Sequence, residues 1–376
     1  MNPFKPTAGK MPPILIGRES VIRDFEEALD NGAGAPGRLM LISGQRGFGK
    51  TVMLTELGRV AKKHDWAVVS DTASNGLCER LVTALSSGGL RFGGATISPS
   101  VGVGGMVSAS LGSVSISPSN AALTLRGAIE ARLKRMPDGK GVLFTIDEAQ
   151  AASEEDLVAV ATAIQHVLRD EDMRDVSDAR KHGVAFVFAA LPSMVDEVLN
   201  NKVLTFLRRS QQQVLAEVPL ADVRAAYVDA VRESGKEIGQ EDALAAARAA
   251  AGYPYMVQLV GYYMWQSADR RGSKTIERAD VERGAGDAVV AFGEAVCAPI
   301  MDGLTPAQRE FVKAVAVDAP GSTAVSDIAE RCSRSSSWVS KYRTSLIKEH
   351  VIEADGKGYV RLSTPHMAEY LRGSSW

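Results

Sequence analysis

Cysteine is scarce, net charge is almost nil and long apolar runs are lacking, and each shortage removes a class of protein. The three cysteines, Cys78, Cys297 and Cys332, are odd in number and far apart. Neither a disulfide framework nor a cysteine metal centre is expected, and a reducing compartment is. Lys and Arg total 43 against 45 Asp and Glu, a formal net charge of -2. Nothing draws nucleic acid to the surface as a whole, so such binding has to come from a local patch. No apolar run is expected to reach the roughly eighteen residues that cross a membrane, and the N-terminus has Lys5 and Lys10 but no apolar leader segment. A cytoplasmic protein with no membrane partner follows. At 376 residues and 45% hydrophobic, the chain is long enough for two or three domains with a sizeable core.

What is present is concentrated in Gly44-Gln45-Arg46-Gly47-Phe48-Gly49-Lys50-Thr51, a complete G-x-x-x-x-G-K-T phosphate-binding loop. With glycine near 7% of average usage, its four fixed positions match by chance in such a chain on the order of once in a hundred. Context lowers that further. Leu39-Met40-Leu41-Ile42 reads as a buried strand before the loop, and Met53, Leu57 and Val60 recur at helical spacing after it. Glycines let consecutive N–H groups turn inward around phosphate oxygens, and a helix starting near Lys50 adds its positive dipole end. Lys50 is expected to reach the β- and γ-phosphates of ATP, and the Thr51 hydroxyl to be a ligand of Mg²⁺. The competing reading is a glycine-rich turn with no ligand.

A second element lies about a hundred residues downstream, where the apolar strand Val142-Leu143-Phe144-Thr145-Ile146 ends in Asp147-Glu148. In phosphate-loop ATPases a core strand next to the loop strand brings an Asp to the magnesium shell, and an adjacent Glu polarises the attacking water. Asp147 and Glu148 fit those roles. Two acids after a strand also occur as a plain solvated turn, so the assignment leans on the loop upstream.

Strands alternating with helices through Val184–Ala190 predict an α/β core with a parallel sheet covered on both faces. Residues 86–120 turn Gly- and Ser-rich, with apolar residues from Ile97 to Ile116 spaced mostly by two or four. They read as an inserted hairpin, either an edge ribbon or a contact for DNA or a neighbouring subunit. From Pro219 the pattern is helical only. The last stretch has a helix opening at Thr305-Pro306, a short helix over Val325–Arg331, a third from about Ser335 to His350, and a hairpin turning at Asp355-Gly356. That order predicts a winged helix-turn-helix. Val339, Tyr342 and Leu346 share one face of its third helix, and Ser337, Lys341, Thr344 and Lys348 the other. The second face, with Lys357 on the hairpin, is the candidate DNA contact. Trp338 and Tyr342 read as core before they read as stacking groups. The expected division is a core over 1–218, a helical lid over 219–300 and a winged helix over 301–376.

These residues resemble the AAA+ ATPases of origin-recognition type, in particular the bacterial and archaeal proteins whose ATPase core is followed by a helical lid and a winged helix. The resemblance spans most of the chain. It is carried by Ile14-Leu15-Ile16-Gly17-Arg18-Glu19, the phosphate loop, Asp147-Glu148-Ala149-Gln150 and Ala251-Gly252-Tyr253-Pro254-Tyr255. It implies that Gly17 and Arg18 lie by the adenine, although a plain helix start explains them too. It implies a transition-state arginine offered to a neighbouring subunit, for which Arg208 and Arg209 are candidates beside the reading of an exposed basic end. Two departures bear on rate: Ala189-Ala190 stand where relatives place a polar sensing residue, with Ser193 the nearest hydroxyl, and Gly252-Tyr253-Pro254-Tyr255 where some carry a lid arginine. The implied function is a nucleotide-dependent, homo-oligomerising ATPase that hydrolyses slowly and couples ATP to DNA binding or assembly. The alternative is a nucleotide-regulated switch whose winged helix binds a protein partner.

Overall fold

The computed structural model describes residues 1–7, 15–32, 34–45, 47–86, 118–192, 195 and 207–373. The hairpin expected within 86–120 therefore falls, over 87–117, outside the described residues, as do Arg46 and Ser193. Five parallel strands form the core sheet: β1 (Leu39–Ser43), β2 (Ala67–Thr72), β3 (Gly141–Asp147), β4 (Gly183–Ala190) and β5 (Gln211–Val214), in the order β2-β3-β4-β1-β5. Their side chains alternate between faces. Met40, Ile42, Leu143 and Val187 pack in the layer of α1 (Glu19–Asp30) and α2 (Lys50–Lys63). Leu41, Phe144, Phe186 and Phe188 face α3 (Leu77–Ser86), α4 (Pro118–Leu133) and α5 (Glu154–Asp172). Cover on both faces is why the inner strands β1, β3 and β4 are largely apolar rather than alternating, whereas the edge strands β2 and β5 are not.

One expectation is corrected. The strand bearing Asp147 is not next to the loop strand, because β4 lies between them, pairing Met40 with Val187 on one side and Phe144 with Phe186 on the other. Asp147 still reaches the loop. It is the last residue of β3, at the carboxyl edge where the strands open toward the head of α2.

After β5 come α6 (Leu220–Glu233), α7 (Gln240–Ala250), α8 (Pro254–Arg270) and α9 (Arg278–Phe292), plus a two-residue parallel pair of β6 (Glu237–Ile238) and β7 (Thr275–Ile276). Backbone ties this layer to the core, with the Val218 N–H donating to the Gly252 carbonyl at 2.8 Å. Helix α9 continues through a π-helical turn, Gly293–Cys297, into α10 (Ala298–Gly303). The resulting helix of 26 residues, Arg278–Gly303, is long and apolar enough to cross a membrane, against the expectation from the sequence. Part of its apolar surface is inside the protein, with Phe292, Cys297 and Met301 fully buried, while Val290 is exposed.

The C-terminal unit contains α11 (Pro306–Ala316), β8 (Thr323–Ala324), α12 (Val325–Arg331), α13 (Ser336–Lys348), β9 (Ile352–Ala354), β10 (Tyr359–Leu362) and α14 (Met367–Gly373), with a small sheet in the order β8-β10-β9. Thr305 caps α11 and forms a capping box with Gln308, worth about 1 kcal/mol. Helix α14 turns back onto the long helix, where a Cβ at Gly293 would collide with the Tyr370 ring.

Candidate functional site

Backbone conformation comes first. Gly47 and Gly49 sit at φ +82° and +84°, a left-handed region closed to most side chains. Those two turns fold the loop back and aim it at the first turn of α2, which begins at Lys50. The Lys50 Nζ donates to the carbonyls of Gly44 and Gln45 at 2.8 and 3.1 Å. The Thr51 hydroxyl donates to Asp147 Oδ2 at 2.5 Å, so residues 96 apart in sequence meet at the head of one helix.

Glu148 occupies φ +49°, which costs a non-glycine residue on the order of 1–2 kcal/mol. Three bonds hold it there. Its N–H donates to Asp147 Oδ1 at 2.9 Å, its carbonyl accepts from Ala151 at 2.7 Å, and its Oε2 accepts from Gln150 Nε2. The other end of the Gln150 amide accepts from the Leu191 N–H at 3.1 Å. Gln150 thus ties the Glu148 carboxylate to the end of β4, where the expected polar sensing residue is replaced by buried Ala189 and Ala190. Nothing in the spacing of Gln150 pointed to this bridge.

Glu148 and the loop from Gly47 to Thr51 line a cleft of about 420 Å³, within the range of ligand sites. Its other walls are Lys5–Thr7, Leu15, Ile16 and Arg18 from the N-terminal segment, Val218, Pro254, Tyr255, Val257 and Gln258 from the helical layer, and Ala295, Val296 and Pro299 from the π-helical turn and the start of α10. The charged lining residues are Lys5, Arg18 and Lys50 against Glu148. That excess of positive charge, with the N-terminus of α2, favours a polyanion. Among the described residues no cluster of three or more His, Cys, Asp or Glu is placed to hold a metal. A cation here would rely on Thr51, Asp147 and phosphate oxygens, the donor set that suits Mg²⁺.

Arg18 lines the cleft but is engaged by protein: one terminal nitrogen donates to the Ala216 carbonyl at 2.8 Å and to that of Phe48 at 3.5 Å. Burial lowers its pKa, partly offset by Glu19. Gly17 turns at φ +66° against Val218, and Gly17, Gly44 and Gln45 are outside the cleft lining. Tyr253 stands where a lid arginine was sought. Its ring lies edge-on to Phe48, centroids 4.8 Å apart, and a Cβ at Gly47 would strike it. Burial, then the Cys297 thiol, push its hydroxyl pKa up, so it brings a neutral phenol to the loop, not a charge.

Arg208 and Arg209 are exposed in the turn before β5. Because Met40 pairs with Gln211 in parallel, they flank the amino ends of the strands, opposite the edge that carries the loop. They are out of reach of their own cleft. Ser337, Lys341, Thr344, Lys348 and Lys357 are all exposed, while Val339 and Leu346 on the other face of α13 are fully buried. Trp338 stacks on Phe311 with centroids 6.1 Å apart and meets Tyr342 at 4.7 Å.

A parallel sheet with a phosphate loop, an acidic pair at the carboxyl edge and a helical layer over the cleft make up a P-loop AAA+ fold. Residues 14–173 match the AAA ATPase domain family, and residues 294–371 match a domain of unknown function. Among solved structures, the ORC2 protein of Aeropyrum pernix, determined as ADPNP and ADP complexes, is 14% identical with a TM-score of 0.61, covering 98% of this chain and 96% of its own. A Walker-type ATPase of Pyrococcus abyssi is 13% identical at a TM-score of 0.62 (95% and 96% covered), and Cdc6p of Pyrobaculum aerophilum is 14% identical at 0.51 (98% and 97%). At such identities the likeness is one of fold. No curated protein sequence matches the chain.

Proposed function

We propose that the chain is a cytoplasmic ATPase that binds ATP with Mg²⁺ in the cleft, hydrolyses it slowly, and passes its nucleotide state to DNA binding or assembly through its C-terminal unit. The observation that carries this is the Thr51 hydroxyl on Asp147 at 2.5 Å, at the head of α2, with Glu148 lining the same cleft. In this reading the loop amides and Lys50 hold the phosphates, and Thr51 and Asp147 hold the metal. Bound Mg²⁺ would neutralise phosphate charge. Glu148 accepts the proton of a water whose oxygen bonds to the γ-phosphorus as the bridging P–O bond to ADP breaks. Slow turnover is proposed because Ala189 and Ala190 offer no polar group at the end of β4.

The chain divides into a core over 1–218, a lid over 219–300 and a winged helix over 301–376. Support for coupling comes from the cleft wall, since Ala295, Val296 and Pro299 belong to the helix that leads into the winged helix. The exposed face of α13 with Lys357 is the DNA contact, and Arg208 and Arg209 serve the site of the next subunit in a nucleotide-dependent homo-oligomer. A second reading, in which the winged helix docks a protein, is favoured by one observation: Arg361 of the wing is paired with Glu353 at 2.5 Å.

One set of assays tests the site. Lys50→Ala should abolish ATP binding, Glu148→Gln should keep ATP but stop hydrolysis, and Arg208→Ala with Arg209→Ala should slow hydrolysis at unchanged ATP affinity. Native turnover in Glu148→Gln would remove the assigned base, and native turnover in the arginine pair would leave the site self-contained.

A further inference from the structure

The geometry points to Gln258 as the residue that selects the base, made selective by the N-terminal segment that holds its amide. This rests on the reading of the cleft as a nucleotide site. Residues Asn2 to Lys5 are docked on α8: the Asn2 Nδ2 donates to the Tyr262 carbonyl at 3.0 Å, and Phe4, 3% exposed, lies on Gly261 and edge-on to Tyr227. So placed, the Lys5 N–H donates to Gln258 Oε1 at 3.0 Å. A backbone N–H can only donate, so the atom facing it is the amide oxygen, and the orientation of Gln258 is settled by its partner. Among the described residues its two N–H groups and the second lone pair of Oε1 have no partner and remain as recognition groups.

Gln258 lines the cleft, and it also lines a small adjoining cavity with Phe4, Ile16, Tyr227 and Val257 but no residue of the phosphate loop. That places it at the end remote from Lys50, where the base of a nucleotide held by its phosphates would lie. Ile16 and Val257, which line both cavities with it, are apolar, so an unmatched polar edge on the ligand would stay unpaired. A glutamine amide pairs with adenine by donating to a ring nitrogen and accepting from the 6-amino group. Guanine turns an acceptor, O6, toward the same oxygen. A free amide could flip to suit it, but flipping here would set the NH₂ group against the Lys5 N–H. Discrimination between adenine and guanine therefore comes from the anchor as much as from Gln258.

The test measures dissociation constants of ATP, GTP and inorganic tripolyphosphate, each with Mg²⁺, for the full chain and for Gln258→Leu and Lys5→Pro. The native chain should prefer ATP to GTP by at least about tenfold. Gln258→Leu should bring that ratio to about one with tripolyphosphate affinity unchanged, and Lys5→Pro, which removes the anchoring N–H together with one cleft charge, should weaken ATP more than GTP and so narrow the ratio. A native ratio near one, or a native ratio retained in Gln258→Leu, overturns the assignment while leaving the phosphate site standing. If Gln258→Leu also loses tripolyphosphate, Lys5→Pro decides, and undiminished selectivity there overturns it. Failure of the native chain to bind all three ligands instead removes the nucleotide reading beneath it.

Discussion

Gln150 joins two parts of the site that are otherwise separate. One end of its amide meets the Glu148 carboxylate and the other the Leu191 N–H just beyond β4. Without it the carboxylate of a residue already strained at φ +49° loses the one side-chain tether it has among the described residues, and small errors in placing a base are expensive in rate. Gln150→Ala should leave ATP affinity within about twofold and lower kcat by about ten- to a hundredfold. A single-turnover assay beside an ATP titration separates the two quantities, and equal loss in both would mean that Gln150 acts on binding instead. The meeting of Lys50, Thr51, Asp147 and Glu148 at one place was legible from the sequence because each belongs to a short contiguous motif. Gln150 and Gln258 were not, since what orients them lies 41 and 253 residues away, and no local pattern encodes such a pairing.

Among elements, the buried strands were readable as apolar runs, as were the helix after the phosphate loop from its spacing and the helical stretch after Pro219, but α4 was not, and its first residues fall where the hairpin was expected to end. Strand β5 was not readable: Gln211-Gln212-Gln213-Val214 has no apolar run. It forms because β1 offers it a free edge and because Gln211 and Gln213 donate to Asp24 of α1 at 2.9 and 3.1 Å. The position of β4 between β1 and β3 was equally hidden, as strand order is set by which crossovers pack well and not by the strands' own residues. In the helical layer after β5, α9 starts at a polar knot. Asp280 is 1% exposed and accepts from Arg271 at 2.5 Å, Ser267 at 2.8 Å and the Glu277 N–H at 3.0 Å. Burial alone would raise its pKa, but Arg271, the Glu277 N–H and Ser267 outweigh it and the net shift is downward. A depressed carboxyl stabilises the fold above the ordinary value of 3.8 and stops doing so as pH falls through the lowered value. Asp280→Asn should therefore cost about 1–2 kcal/mol at pH 7, kept small by screening at the partly exposed Arg271. The difference from the native chain should shrink as the medium is acidified below 3.8. Urea unfolding at several pH values reads this directly, and a pH-independent difference would mean that the carboxylate charge contributes nothing.

At the scale of the whole molecule, the cleft and the C-terminal unit are in mechanical contact. Phe48 of the loop meets Tyr253 at 4.8 Å, Tyr253 meets Phe292 at 5.2 Å, and Phe292 meets His366, just before α14, at 6.1 Å. These rings are close-packed, so a shift of the loop has to be taken up along the chain of contacts. Gly293 lets the Tyr370 ring approach the same helix. Arg278–Gly303 packs at once against the other helices after β5, the cleft and the last helix, and its buried residues Phe292, Cys297 and Met301 lie on that side. The sequence predicted a helix here but not that its π-helical turn lines the same cleft as the loop.

The central claim, that nucleotide state governs DNA affinity through the exposed face of α13 and its wing, is tested most directly by titrating duplex DNA at two salt concentrations. Each titration is run with Mg²⁺ and a slowly hydrolysed ATP analogue, with ADP and without nucleotide, for the native chain and for Lys341, Lys348 and Lys357 replaced together by alanine. The account predicts that the DNA dissociation constant differs between analogue and ADP by about fivefold or more, and that DNA shifts nucleotide affinity by the same factor. It predicts that the triple variant binds DNA more weakly, with a log–log salt slope reduced by about 0.9 per lost phosphate contact and ATP binding unaltered. Identical DNA affinity in every nucleotide state, with an unchanged slope in the triple variant, would contradict it.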